Sequence, residues 1–163
     1  MSPRPTIKRR LTVYSAPGPS PHNIRSPAFF VARGHCRCWK CNHRVEVTVV
    51  GVGPPFSRLI DNEWHPGPSL AILSYVESLP LEISGELARL APHYFRDESQ
   101  WHRLPYWMNH CDNCGAKVGD YEVFDSPDAP FKLRDIDVHR LSMTVVSAAF
   151  EAAGVVNILG FKA

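Results

Sequence analysis

Two cysteine pairs, Cys38-Trp39-Lys40-Cys41 and Cys111-Asp112-Asn113-Cys114, carry the clearest chemistry in this chain. A Cys-x-x-Cys turn offers two thiolates from one tight loop, and two such turns complete the tetrahedral shell of a structural zinc ion. The residues after the pairs, Asn42 and Gly115, are types that adopt a left-handed backbone at low cost, which a metal knuckle needs at that point. The spacing thus predicts one structural zinc on Cys38, Cys41, Cys111 and Cys114. A shell of four thiolates leaves no open position for a water, so its expected role is structural. Cys36, the fifth cysteine, is expected as a spare thiol pointing to the other face.

Catalytic patterns are weaker. His35, His43 and His110 flank the cysteine pairs and are expected beside the metal or at the surface. The zinc-deaminase pattern is missing, since no His-x-Glu occurs and neither pair follows a proline. Asp120, Glu122, Asp125, Asp128, Asp135 and Asp137 read as a solvated acidic face. Gly51-Val52-Gly53 runs into Pro54-Pro55, which removes the backbone donors a phosphate would need. No catalytic residue is assigned. Trp39, between two ligands, and Trp64, in a turn-rich segment, are the candidate contact residues, because exposed tryptophans beside a rigid knuckle make good anchors. Trp107, in an apolar run, is expected in the core.

These residues need elements to position them. Sixty-nine residues separate Cys41 from Cys111, where a compact ribbon has about 15–20. The long separation implies a helix-containing insertion, about 53–104, between two hairpins whose tips are the knuckles. Order is expected to begin at Ala28, with Ala28 to Ala32 leading into the first pair as a strand, and Arg44 to Val49 leaves it with period-two alternation, placing Val45, Val47 and Val49 on one face. Gly51 to Pro55 is expected to break that strand. Asp61 to Pro68 reads as loop, Leu70 to Val76 as strand, and Ile83, Leu87 and Leu90 as the apolar stripe of a short helix ended by Pro92. Arg96 to Leu104 is expected as a polar loop. Pro105 to His110 then repeats the approach to the second pair, and Lys117 to Phe124 leaves it as strand or short helix. Ile136 to Phe150 is ordered with its type undecided, and Val155 to Leu159 is a last strand. The fold class expected is α+β, with zinc-ribbon-like antiparallel hairpins.

Charge divides the chain. Residues 1–27 hold five basic and no acidic side chains, which leaves 13 of the 18 basic residues against all 16 acidic ones in the remainder. With six of the 15 prolines, residues 1–27 read as an extended or disordered arm, in which Leu11 to Tyr14 could add as a short edge strand. Residues 28–163 read as one domain. The acidic body is a poor footprint for nucleic acid; Arg4, Lys8, Arg9 and Arg10 of the arm are where such a partner would bind. No stretch suits a membrane span or a secretory signal, and paired cysteines without an export signal indicate a reducing, cytoplasmic setting.

Several segments resemble, as a set, a group of small bacterial proteins of unknown function with a split four-cysteine zinc ribbon. They are Arg37 to Cys41, Leu73 to Pro80, Tyr106 to Gly115, and Gly119-Asp120. The resemblance spans about residues 29–125. It implies the same four ligands and a bacterial cytoplasmic protein, and it implies no activity. The sequence favours a non-catalytic, zinc-stabilised binding or adaptor protein acting through protein contact. A nucleic-acid-binding ribbon using the basic arm, and then a metal-dependent hydrolase, are the alternatives.

Overall fold

The computed structural model describes residues 22–101, 103–137 and 141–160. Eleven strands and one α-helix occur among them: β1 (Ile24–Ser26), β2 (Phe29–Arg37), β3 (Arg44–Val52), β4 (Ser57–Ile60), β5 (Glu63–Pro66), β6 (Ala71–Ser78), α1 (Leu81–Leu90), β7 (Tyr94–Glu98), β8 (Pro105–His110), β9 (Lys117–Val118), β10 (Ser142–Val146) and β11 (Phe150–Ile158). A π-helical turn spans Tyr121–Asp125. All strand pairings are antiparallel. Eight strands form one sheet in the order β10-β2-β3-β6-β11-β1-β4-β5, and β7-β8-β9 form a second. The α+β class holds, and β2–β3 and β8–β9 are hairpins with the two cysteine turns at their tips.

The large sheet is buried on both faces at β2 and β3, which is why these strands read as nearly continuous apolar runs. Phe30, Ala32, Val45, Val47 and Val49 pack towards the cysteines with Val118, Val123, Phe124 and Phe131. Phe29, Val31, Val50 and Val52 pack on the opposite side with Ile83 and Leu87 of α1 and with Phe150. The single face expected for Val45, Val47 and Val49 is therefore observed.

Several expectations need correction. β3 does not break at Gly51 but continues to Val52; glycine is there because a Cβ would sit 2.2 Å from the Phe30 ring. The expected loop at Asp61 to Pro68 contains half of a hairpin, β4–β5. Its two-residue turn is Asp61-Asn62, both at positive φ (50° and 64°), the geometry of a type I′ turn. Most of the supposed polar loop at Arg96 to Leu104 lies beyond β7, but Arg96 to Glu98 is strand and pairs with β8. The undecided segment resolves into β10, with residues 138–140 outside the described set. Order begins earlier than Ala28, because β1 pairs with β11 and β4. The arm residues Arg4, Lys8, Arg9 and Arg10, and the strand proposed at Leu11 to Tyr14, lie outside the described residues.

The small sheet docks where two interior strands of the large one, β3 and β6, part. β6 pairs with β3 only through Leu73, Ile72 and Ala71, leaving the knuckle-proximal half of β3 without that neighbour. Between the pairs Ser74–Val155 and Ser78–Ala153, β6 has three residues to one in β11, and Tyr75 takes a φ of 48°. Backbone groups freed by these irregularities need partners. Three side chains from the segment between α1 and the π-turn supply them. Asn109 accepts from the Thr48 N–H at 2.8 Å and donates to the Thr48 carbonyl at 2.9 Å, imitating a strand neighbour. Asp120 accepts from the Tyr75 N–H at 2.5 Å, and Arg96 donates to the Glu77 carbonyl at 3.0 Å.

Candidate metal centre

The two knuckles are built alike. In the first, the Asn42 N–H donates to the Cys38 carbonyl and the Cys38 N–H to the His43 carbonyl, at 2.9 and 2.8 Å. In the second, Gly115 N–H to the Cys111 carbonyl and Cys111 N–H to the Ala116 carbonyl repeat the pattern at 2.8 Å each. Asn42 and Gly115 hold φ values of 60° and 74°, the left-handed conformation their residue types suggested. The turns aim four sulfurs at one point. Cys38 and Cys114 Sγ are 3.7 Å apart, as are Cys41 and Cys111 Sγ, and all four lie within 4.8 Å of one another. Sulfurs bound tetrahedrally at about 2.3 Å from a zinc would stand about 3.8 Å apart. The cluster could hold a metal ion of that size.

The sulfur environment fits a cation. The Asn113 amide, with help from the His43 backbone N–H, pulls the Cys41 thiol down to about 6. Cys114 is pushed up to about 11: the Ala116 backbone N–H pulls it down, but burial and the other three sulfurs together prevail. Four such groups at this distance do not all ionise without a positive charge among them. A divalent metal ion would supply that charge, with Cys38, Cys41, Cys111 and Cys114 as thiolate ligands.

Contacts beyond the sulfurs also join the knuckles. The Trp39 indole N–H donates to the Lys117 carbonyl at 2.7 Å, capping the edge of β9. His43 Nε2 lies 3.2 Å from Asp112 Oδ1, and Asn113 Nδ2 lies 3.5 Å from Cys41 Sγ. His110 is buried, stacked 3.7 Å on Phe95, with Nε2 at 2.9 Å from Asp97; Lys117 reaches the same carboxylate at 3.2 Å. These contacts hold Asp97 below its ordinary range, the His110 hydrogen bond first. His35 lies at the surface, 3.9 Å from Glu46. None of the three histidines belongs to the metal cluster.

Cys36 is outside the cluster, but it does not point to the other face. It is buried in the same core as Cys38, because residues two apart on a strand share a face. Burial, followed by nearby Glu122, pushes its thiol up. The acidic segment is not one solvated face either. Asp125 and Asp128 are exposed, but Asp120 is 5% exposed and lies among Tyr75, Tyr94 and Tyr106. Trp39 is 63% exposed, and Trp64 is 37% exposed with the Arg25 guanidinium 4.0 Å over its ring. Trp107 is half-buried and packs on the helix-side core.

A cleft of about 860 Å³ opens beside the first knuckle, with Trp39, Trp101, Tyr106, Met108, Gly119 and Tyr121 on its walls. Trp101, 92% exposed, and Tyr121, 57% exposed, were not singled out in the sequence. Their only local signal was aromatic type in a polar context.

Comparison with known proteins gives no matching family model, no matching curated protein and no matching solved structure. The resemblance to a split zinc ribbon therefore rests on its quoted segments. No helix among the described residues is long and apolar enough to cross a membrane.

Proposed function

We propose that this is a zinc-stapled, non-catalytic binding protein that contacts a partner protein through the surface around Trp39. The observation that carries the reading is the geometry of Cys38, Cys41, Cys111 and Cys114, four converging sulfurs at zinc-like spacing. A closed thiolate shell polarises no substrate and activates no water, so the metal's contribution is to folding. It joins two hairpin tips separated by the long insertion, and thereby fixes Trp39 and the cleft beside it.

The cleft supports the contact reading. Its volume falls in the range of ligand-binding clefts, and its aromatic walls suit an interface anchor. Trp39 is held by its hydrogen bond to Lys117 rather than by burial, so its ring is both exposed and oriented. The reading includes a reducing, cytoplasmic setting, which would keep the four thiols available to a metal.

The test is co-purification from the native host, with metal content measured on the same sample, for wild type and Trp39→Ala. The reading expects a protein partner on the wild type that Trp39→Ala loses while keeping one zinc per chain. Retention of the partner by Trp39→Ala, or replacement of the protein partner by nucleic acid released at high salt, would count against it.

A further inference from the structure

Among the described residues, β10 and β5 stand at the edges of the large sheet and β7 and β9 at those of the small one. Three of these edges are blunted. β5 carries Pro66 and the charged Glu63. β7 carries Arg96, Asp97 and Glu98. β9 is two residues long, and the Trp39 indole caps its Lys117 carbonyl. Proline, charge, shortness and capping are the ordinary devices that stop a sheet edge from pairing with another chain. β10 has none of them. Ser142-Met143-Thr144-Val145-Val146 is uncharged, holds no proline or glycine, and is rich in β-branched residues. It is exposed along its length apart from half-buried Val146, and Val145 is 68% exposed.

The register shows which backbone groups of β10 are open. The Thr48 N–H and carbonyl turn away from β2, because they bond Asn109 on the β6 side of β3. Backbone direction alternates along an antiparallel strand. Val47, Val49 and Gly51 therefore turn towards β2, to their partners Gly34, Ala32 and Phe30. Phe29, Val31 and Arg33 turn the other way, to Val146, Thr144 and Ser142 of β10. The N–H and carbonyl groups of Met143 and Val145 are left pointing outwards, and no strand takes them among the described residues.

A second copy of the same strand, laid antiparallel, matches this edge. With a two-fold axis through Thr144, Met143 of one copy faces Val145 of the other, and the reverse. Every outward group of both strands then has a ladder partner, about four hydrogen bonds in all. Met143 and Val145 side chains share one face and meet as apolar cross-strand pairs. Thr144 meets its own copy on the axis as the closer, non-hydrogen-bonded pair. No charge is repeated across the axis, since β10 holds none. Moving the axis to Met143 or to Val145 would pair some of the outward groups with residues beyond the strand.

We propose that β10 is a homodimer interface, in which two copies of the chain pair antiparallel through Ser142 to Val146 about a two-fold axis at Thr144 and join their large sheets into one. A strand of this length is about 17 Å long, which places the contact at the weak end of protein association, with a dissociation constant of about 50 µM. The two-fold axis sets the second β2 antiparallel to the first, so the cysteine hairpins leave the joined sheet at opposite ends. One dimer then presents two Trp39 surfaces. That consequence rests on the partner-contact reading; the pairing itself does not.

The test uses the full-length, zinc-loaded protein and two variants at exposed positions, Val145→Lys and Met143→Lys. Sedimentation velocity and amide hydrogen exchange are measured at about 5 µM and about 500 µM. The wild type should have about one-sixth of its chains in dimers at the lower concentration and about four-fifths at the higher. Exchange at the Met143 and Val145 amides should slow about fourfold over that range, while the Thr144 amide, already bonded to β2, changes little. Each lysine variant should weaken the dimer at least about tenfold and remove the slowing. A wild type that stays monomeric at about 500 µM would overturn the proposal, and so would a dimer that both variants keep. Met143 and Val145 amides protected equally at both concentrations would also overturn it, by showing that the chain's own residues cover the edge. A monomer that still binds its partner through Trp39 would remove only this inference, and a dimer whose partner is indifferent to Trp39 would remove only the contact reading.

Discussion

Replacing Asp120 by asparagine should abolish a pH dependence of stability that the wild-type fold cannot avoid. Asp120 is 5% exposed, and no cation pairs with it among the described residues. Burial pushes its carboxyl up to about 7; the Tyr75 N–H bond pulls it back and Asp125 adds to the rise. The groups around it, Tyr75, Tyr94 and Tyr106, are all held above the ordinary tyrosine range, by burial first, and stay neutral. A carboxyl whose folded value is raised contributes stability that is full below its unfolded value near 4 and is lost as pH rises through the folded value near 7. Each unit is worth about 1.4 kcal/mol, so the full loss approaches about 4 kcal/mol. A window of pH 5.5 to 8.5, chosen to keep the thiolates on the metal, captures about 2 kcal/mol of it. The asparagine of the variant can still accept from the Tyr75 N–H through its amide oxygen, and it carries no proton to lose. The assay is urea unfolding of zinc-loaded wild type and Asp120→Asn, followed by tryptophan fluorescence at intervals across that window. The wild type should lose about 2 kcal/mol relative to the variant between the two ends. Parallel stability curves would refute the argument, since they would mean that the carboxyl ionises in the folded protein as it does in the unfolded one.

Other perturbations separate the parts of the structure. Asn109→Leu strands the Thr48 N–H and carbonyl inside the protein; calorimetry should show a loss of about 2–5 kcal/mol. Gly51→Ala forces a methyl group to within 2.2 Å of the Phe30 ring and 2.6 Å of the Ala71 carbonyl, and should cost about 1–3 kcal/mol in the same measurement. Cys36→Ala should leave metal content at one per chain by elemental analysis, because Cys36 lies outside the four-sulfur cluster, whereas Cys111→Ser should lower it.

The four-cysteine cluster was legible in the sequence because its signals are local. A Cys-x-x-Cys turn followed by Asn or Gly defines its own backbone, and both knuckles take the conformation those residue types suggested. β3 and α1 were legible through periodicity, and β2 and β8 as apolar or aromatic runs leading into the cysteine pairs; for β6 periodicity did not separate strand from helix, and strand was only the favoured reading. What was missed depends on neighbours distant in sequence. β7 reads as polar because Phe95, Arg96 and Glu98 are exposed, and it becomes a strand only by pairing with β8. The β4–β5 hairpin was obscured by the prolines around it, although Asp61-Asn62 is a sound turn. Asn109, Asp120 and Arg96 resemble surface residues. Their roles exist only because β6 bulges and β3 lacks a partner, and no local pattern announces either.

The central claim is that one zinc, held by Cys38, Cys41, Cys111 and Cys114, staples two hairpin tips and thereby the fold. Its most direct test is the thermal melting of zinc-loaded and chelator-stripped protein under reducing conditions, with metal content determined on the same samples. The account predicts one zinc per chain in the loaded sample, and melting at least about 15 °C lower after stripping. A stripped protein that melts where the loaded one does would contradict it.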